Sequence, residues 1–153
     1  MEKYSGLIPH LVVSNGPAAI DFYKSGLGAQ ETSRMPAPDG KRLMHASMKV
    51  EGCMFFLCDD FPEHCGGVSR APKAGVEGPI ALHLVVKNAD AAIEQAVKAG
   101  ATVKMPAADM FWGDRYGQVI DPFGHTWSFS HPLTAEATAA AQKAWEAMMA
   151  QWK

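Results

Sequence analysis

Cysteine is scarce in this sequence, with Cys53, Cys58 and Cys65 the only three. An odd number without regular spacing excludes a disulfide framework and favours free thiols in a reducing compartment. Basic charge is thin as well. Fourteen Lys and Arg against sixteen Asp and Glu give a net charge of −2, and the basic residues form no cluster of the kind a nucleic-acid surface needs. No apolar run approaches the roughly 20 residues of a membrane-spanning helix, and Met1 to Gly6 lacks the apolar stretch of a secretory leader. Gly66-Gly67 has no Lys-Ser/Thr behind it, so no phosphate-cradling loop is present. No Ser/His/Asp or Cys/His nucleophile pattern stands out. The expectation is a cytoplasmic domain that binds a small molecule, and neither nucleic acid nor membrane.

What the sequence does contain is an internal repeat. His10-Leu11-Val12-Val13-Ser14-Asn15-Gly16-Pro17-Ala18-Ala19-Ile20 returns 73 residues later as His83-Leu84-Val85-Val86-Lys87-Asn88-Ala89-Asp90-Ala91-Ala92-Ile93, with eight of eleven positions identical. Each copy reads as a strand, a turn and a helix. In the first copy the expected elements are a strand over 7–13, a helix from 17 to 26 stopped by Gly26 or Gly28, and strands near 29–36, 41–50 and 53–59. Asn15-Gly16, Pro38-Asp39-Gly40 and Glu51-Gly52 supply the turns. The second copy gives a strand over 79–86, a helix over 89–99 stopped by Gly100, and strands near 101–108, 114–121 and 125–131. Gly52-Cys53-Met54-Phe55-Phe56-Leu57 lies over Gly124-His125-Thr126-Trp127-Ser128-Phe129, so the repeat persists to its last strand. The expected organisation is a βαβββ module over 1–59, a Pro- and Gly-rich linker over 60–78, a second module over 79–131 and a C-terminal helix over 132–153. Thr134 is the N-cap of that helix, and Leu133, Ala137, Ala141, Trp145, Met148, Met149 and Trp152 make an apolar stripe along it. The stripe packs on its own domain or on a second subunit.

Side chains alternate across a strand, so parity sorts the two faces of each sheet. Leu11, Val13, Phe55, Leu57, Leu82, Leu84, Val86, Trp127 and Phe129 share an apolar parity suited to packing under helices. Met44, Ala46, Met48 and Val50 are expected to join them. The opposite parity collects Ile8, His10, Val12, Met54, Phe56, Cys58, Ala81, His83, Val85, Thr126, Ser128 and Ser130, with His45 and Ser47 beside them. A mostly apolar face dotted with a few polar groups suits a small-molecule site.

Several stretches carry a family resemblance. They are Ile20-Asp21-Phe22-Tyr23 before Leu27-Gly28-Ala29, His45-Ala46, Ala99-Gly100-Ala101, and above all Phe111-Trp112-Gly113-Asp114-Arg115-Tyr116-Gly117 followed by Asp121-Pro122-Phe123-Gly124-His125-Thr126-Trp127. Over about residues 6–132 the chain resembles the vicinal oxygen chelate superfamily of glyoxalases, bleomycin-resistance proteins and extradiol dioxygenases, and its PhnB-like branch in particular. The resemblance implies an α+β fold in which the curved mixed sheets of two βαβββ modules enclose a cleft, and a homodimer. Metal-dependent members of that family place His or Glu ligands on the first and last strands of each module, which here fall on Ile8, Phe56, Ala81 and Ser128. Ile, Phe and Ala offer no donor and Ser a poor one, so no metal and no other cofactor is expected. The reading that follows is a bleomycin-resistance-like protein that binds a small molecule in its cleft. The alternative is a metal-dependent lyase, isomerase or dioxygenase in which His10 and His83, with Cys58 or Ser130, hold Zn, Fe or Mn at a displaced site.

The candidate acid–base groups are His10, His45 and His83. The candidate ligand-binding residues are His10, His45, Phe56, His83, Trp112, Arg115 and Ser128. Arg115 is placed either as a clamp for a carboxylate or phosphonate oxyanion or in a structural ion pair. Trp112 either closes the cleft over a planar ligand or packs on a partner. Cys53, on the helix-facing parity, is expected to be buried and inert, leaving Cys58 as the thiol to test. The cluster Cys58-Asp59-Asp60 with His64-Cys65 reads as a strand end and turn rather than a metal site.

Overall fold

The computed structural model describes residues 5–73 and 78–152, so residues 74–77 of the expected linker, and those before 5 and after 152, lie outside the described part. The first module runs β1 His10–Val13, α1 Gly16–Leu27, β2 Gln30–Pro36, β3 Leu43–Val50 and β4 Cys53–Asp59. The second runs β5 Ala81–Val85, α2 Ala89–Lys98, β6 Thr102–Asp109, β7 Asp114–Ile120 and β8 Thr126–Pro132. A short 3-10 turn at Pro62–His64 follows β4, and α3 spans Ala135–Met149. The sheets have equivalent orders, β1-β4-β3-β2 and β5-β8-β7-β6, with the last strand of each module lying parallel to its first. A parallel pair cannot be joined by a tight turn, and in each module the helix carries the chain across. These are the two βαβββ modules that the repeat implied, and each sheet is open rather than closed on itself.

The repeated Asn explains why both helices start where they do. Asn15 and Asn88 are extended at the N-cap, and their side-chain oxygens accept from the Ala18 and Ala91 N–H groups. Asn15 is thus the cap of α1 rather than part of a free turn, and Pro17 falls in the first helical turn, where a missing N–H costs little. Gly28, at φ 67°, ends α1 in the left-handed conformation. Gly26 has a different purpose. It is buried inside α1, where a Cβ would come within 3.0 Å of the Ala99 Cβ, so it lets α1 approach the end of α2. Both first strands are shorter than expected. Leu7 is 96% exposed, and the ladder of β1 begins at His10, with the Pro9 carbonyl accepting from Phe56 N–H at 2.8 Å.

The helix-facing parity forms one core shared by both modules. Leu11, Val13, Phe55, Leu57, Leu84, Trp127 and Phe129 are all buried in it. Met44 is the exception, being 52% exposed while Leu43 is 3% exposed. The cause is a bulge: Met35 pairs with His45 and Pro36 with Leu43, so Met44 is the extra residue and the parity of β3 reverses there. Across the module boundary Tyr23 of α1 packs on Phe55 and Trp127, with ring centroids 5.3 and 5.6 Å away. Phe55 and Trp127 meet each other at 5.5 Å. Their faces point into the chain, so the faces carrying the histidines are the ones left open.

Asp121, buried at the turn between β7 and β8, fixes this arrangement. Its carboxylate accepts from the Tyr23 hydroxyl at 2.8 Å, Trp127 Nε1–H at 3.0 Å, and the Phe123 and His125 N–H groups at 2.9 Å each. Burial is the main cause that pushes the Tyr23 phenol well above its ordinary range, followed by the Asp121 charge and their hydrogen bond, so Tyr23 stays a neutral donor. His125 reaches back to the first module, donating from Nε2 to the Val12 carbonyl at 2.9 Å. Replacing Asp121 by Ala leaves several buried donors unmatched and should cost about 3 kcal/mol or more, whereas Tyr23→Phe should cost about 2 kcal/mol. Urea unfolding checks both. The midpoints should fall in that order at constant m-value, and an Asp121→Ala midpoint equal to wild type would refute the structural role given to this carboxylate.

Candidate functional site

The open face of the first module gathers two imidazoles and a phenyl ring. His10 on β1 is level with Phe56 on β4, and Phe56 is level with Ser47 on β3. His10 and His45 meet edge-on with centroids 5.7 Å apart, and Phe56 lies 4.8 Å from His45 and 6.0 Å from His10. His45 Nε2 and the buried Ser47 hydroxyl are 3.1 Å apart. Burial, and after it the nearby His45, lowers the His10 pKa from its ordinary value. His10 therefore offers one donor and one acceptor at neutral pH.

The second module places hydroxyls where the first places an aromatic ring. His83 on β5 is level with Ser128 on β8. Its Nδ1 lies 2.9 Å from the Ser128 hydroxyl and its Nε2 lies 3.1 Å from the Ser130 hydroxyl, and both serines are 2% exposed. One nitrogen of a neutral imidazole donates and the other accepts, and each hydroxyl rotates to match. Tyr116 of β7 stacks beside His83 at 5.8 Å with an interplanar angle of 19°, and Gln118 donates to the Tyr116 hydroxyl at 2.6 Å. Trp112, half exposed in the turn before β7, sits edge-on to Tyr116 at 5.6 Å. Of the expected residues, His10, His45 and Phe56 form one cluster, and His83, Ser128 and Trp112 belong to a second. Tyr116 and Gln118 were missing from the sequence reading. Their signal was the antiparallel pairing of β7 with β8, which sets Tyr116 level with Ser130 and Gln118 level with Ser128.

Of the two placements open to Arg115, the structure shows the ion pair. Its guanidinium binds Asp90 through two bonds of 2.5 and 2.8 Å and Asp109 through one of 2.8 Å. Hydrogen bonds to these carboxylates raise its pKa, and the Arg115 bond holds Asp90 below the usual carboxylate value. The partner is not the adjacent Asp114. Arg115 ties the turn end of the β6–β7 hairpin to the first turn of α2, where Asp90 also complements the helix dipole. The cysteines are placed differently. Cys53 is exposed at the start of β4 instead of buried. Cys58 is half-buried, and burial, then Asp59 and Asp60, push its thiol up, which disfavours the nucleophilic thiolate.

The donors do not fit a metal. At Ile8, Phe56, Ala81 and Ser128, the positions to which the resemblance assigns ligands, the pairing of Ala81 with Thr126 and His83 with Ser128 brings no carboxylate alongside. Among the described residues no group of three or more His, Cys, Asp or Glu is placed to hold an ion. His10 and His83, proposed partners at a displaced site, lie on different sheets and contact different neighbours. The Cys58-Asp59-Asp60 cluster is occupied otherwise. Asp59 accepts from Gly16 and Leu43 N–H groups, and Asp60 from Ser69 and Arg70.

Residues 7–129 match the family described as the Glyoxalase/Bleomycin resistance protein/Dioxygenase superfamily. An uncharacterised protein of Mycobacterium tuberculosis (strain ATCC 25618 / H37Rv) is 47% identical over 127 residues, 83% of this chain and 74% of that protein. The Arabidopsis thaliana protein At5g48480, also uncharacterised, is 33% identical over 123 residues, 76% of this chain and 71% of its own length. The crystal structure of the At5g48480 gene product is similar with a TM-score of 0.63 at 30% identity, covering 83% of this chain and 98% of that one. A Bacillus cereus structure described as a PhnB protein gives a TM-score of 0.60 over 83% of this chain and 99% of its own. At 13% identity it bears on fold alone.

Because the His10 pKa is lowered by folding, the unfolded chain takes up this proton first as pH falls. Stability should therefore decline between the ordinary imidazole value, roughly 6.5, and the lowered one, and this contribution should be flat below both. NMR titration of the imidazole C–H signals should show His10 titrating below 6.5. His45→Gln should bring it only part of the way back, because burial is the larger cause. A His10 midpoint at or above the ordinary value would contradict the described environment.

Proposed function

We infer the function from one premise, that the chain belongs to the Glyoxalase/Bleomycin resistance protein/Dioxygenase superfamily. Within it, this protein binds a small molecule between βαβββ modules without the metal that part of the family uses. One observation carries the reading. Where a ligand set would stand, the second module holds His83 braced by Ser128 and Ser130, with Tyr116 stacked alongside. Hydrogen-bonding groups held by buried hydroxyls are preorganised to orient a ligand, and the rings of Tyr116, Trp112 and Phe56 offer flat apolar surface for it. A ligand of this site is planar and uncharged or weakly polar, because Arg115 spends its donors on Asp90 and Asp109.

Each open sheet supplies half of such a cleft. Contacts between modules of one chain use the opposite faces, through Tyr23, Phe55 and Trp127. A homodimer in which the open face of one copy meets that of another completes the enclosure, and it covers the exposed Met35, Met44 and Val85. We place this dimer in the cytoplasm, in keeping with three free thiols.

A thermal-shift screen of planar aromatic compounds should yield stabilising ligands whose effect is unchanged by chelator. His83→Ala and Trp112→Ala should each weaken a hit about tenfold, the loss expected when a hydrogen-bonded or stacked anchor of about 1.4 kcal/mol is removed. Light scattering during gel filtration should give twice the chain mass. Stoichiometric zinc, iron or manganese in untagged protein, lost on His10→Ala/His83→Ala, would overturn the metal-free reading.

A further inference from the structure

A groove of about 360 Å³ crosses the module boundary on the helix side of the sheets. That is the compact end of the ~300–1,000 Å³ range of small-molecule sites. Half-buried Leu27, at the end of α1, and Val86, after β5, make its apolar floor above the buried Leu84 and Phe129. Its polar lining comes from three places. Glu51 stands in the turn between β3 and β4, Lys87 and Asn88 precede α2, and Gln95 projects from α2. Among the described residues, no histidine and neither Ser128 nor Ser130 borders the groove, so it is apart from the open-face cleft.

The groove carries one charge of each sign, and the chain uses neither. Lys24, Lys98 and Arg115 on neighbouring elements pair with Glu31, Glu94 and Asp90. Among the described residues the Glu51 and Lys87 side chains have no such partner and do not pair with each other. Two amides add direction. Asn88 Oδ1 accepts from the Ala91 N–H at 3.0 Å, which leaves Nδ2 as a donor. Gln95 Nε2 donates to the Ser25 carbonyl at 2.9 Å, which leaves Oε1 as an acceptor. Each orientation is fixed by its backbone partner, since an N–H is met only by the oxygen and a carbonyl only by the NH2 group. Lys87 and Asn88 therefore offer donors and a positive charge, while Glu51 and Gln95 offer acceptors and a negative one.

Glu51 is also the one non-glycine residue with positive φ among the described residues, at 46°. Val50 pairs with Cys53, so Glu51 holds the first place of a two-residue hairpin turn, where Asn is favoured. The turn by itself does not require Glu. We propose that this groove binds a small zwitterion, an α-amino acid with an apolar side chain. Lys87 and Asn88 hold its carboxylate, Glu51 and Gln95 its ammonium, and its side chain lies on Leu27 and Val86. A ligand with one charge leaves the other pair of groups unmatched, and an uncharged ligand gains from neither. The two sites thus take different chemistry.

The test is a titration of L-leucine into the full-length protein at low ionic strength, followed by NMR of backbone and side-chain amides. Exposed charges are screened by water, so the expected Kd is modest, about 1 mM. The Asn88 and Gln95 side-chain NH2 signals and the Gly52 and Lys87 N–H signals should shift and saturate. 4-Methylpentanoate, which lacks the ammonium, and 3-methylbutylamine, which lacks the carboxylate, should each bind about fivefold more weakly or worse. Lys87→Met should weaken leucine about tenfold. Glu51→Asn should do the same without lowering the melting temperature, because Asn suits the turn, so lost binding there is not lost folding. His83→Ala, which alters the open face, should leave the leucine affinity as it is. Absence of saturation by about 20 mM would overturn the proposal. So would either fragment binding as tightly as leucine, or an unchanged affinity in either groove variant. Equal weakening by His83→Ala would overturn it too, because leucine would then be bound on the open face.

Discussion

The arrangement of the chain depends on one buried carboxylate. Asp121 sits in a β-turn of the second module, yet two of its four donors, the Tyr23 hydroxyl and the Trp127 indole, bring in the helix of the first module and the first turn of β8. A buried charge is costly unless each of its acceptor sites is used, and here backbone and side-chain donors share that work. The aromatic rings that pack around it supply the area, but the carboxylate sets their orientation. Once Tyr23 is fixed, the helix-facing sides of both sheets must face inward together, and the histidine-bearing faces must face out.

The two modules show how a repeat keeps its backbone while its chemistry drifts. The first N–H of α1 is received by Asp59 at 2.8 Å, and the corresponding N–H of α2 by His131 Nδ1 at 2.9 Å. Asp59 is the last residue of β4 and His131 the last but one of β8, so the geometry of the cap is retained while its charge is lost. An anionic acceptor at a helix N-terminus gains from the helix dipole, and a neutral imidazole gains less. In the second module Asp90 makes up part of that difference from inside the first turn. The same drift separates Phe56 from Ser128 at equivalent places on the open faces, so one half of the site is aromatic and the other hydroxyl-rich.

Much of this was legible from periodicity. The eleven-residue repeat located both strand–helix units, and alternation assigned most side chains to the correct face. The failures came where a local rule yields to partners distant in sequence. Met44 is exposed because a bulge, which alternation cannot register, sits opposite the Met35–Pro36 step. Cys53 has helix-facing parity but stands at the strand's end, beyond the cover of α1, and is exposed. The ion pair open to Arg115 could not be given its partners, because neither Asp90 nor Asp109 is its sequence neighbour. The role of Asp121 has no local signal, since nothing near it announces that Tyr23, 98 residues earlier, will need an acceptor.

The C-terminal helix has a place in the same logic. Its stripe is only partly used by the chain itself. Ala137, Ala141 and Trp145 are half-buried, while Met148 and Trp152 remain 49% and 75% exposed. The part that is used acts on the loop carrying Trp112. Trp145 stacks on Phe111 at 4.3 Å, Phe111 meets Trp112 at 5.1 Å, and the Leu133 N–H binds the Gly113 carbonyl at 2.8 Å. From the other side, Arg115 anchors the same hairpin to α2 through Asp90. A loop held at both flanks loses little further freedom when a ligand arrives, so less binding energy goes into ordering it. Trp112 is thus a preformed wall of the open face. Under the proposed function this is what lets an exposed aromatic in a turn serve recognition, where a free loop would have to be ordered first.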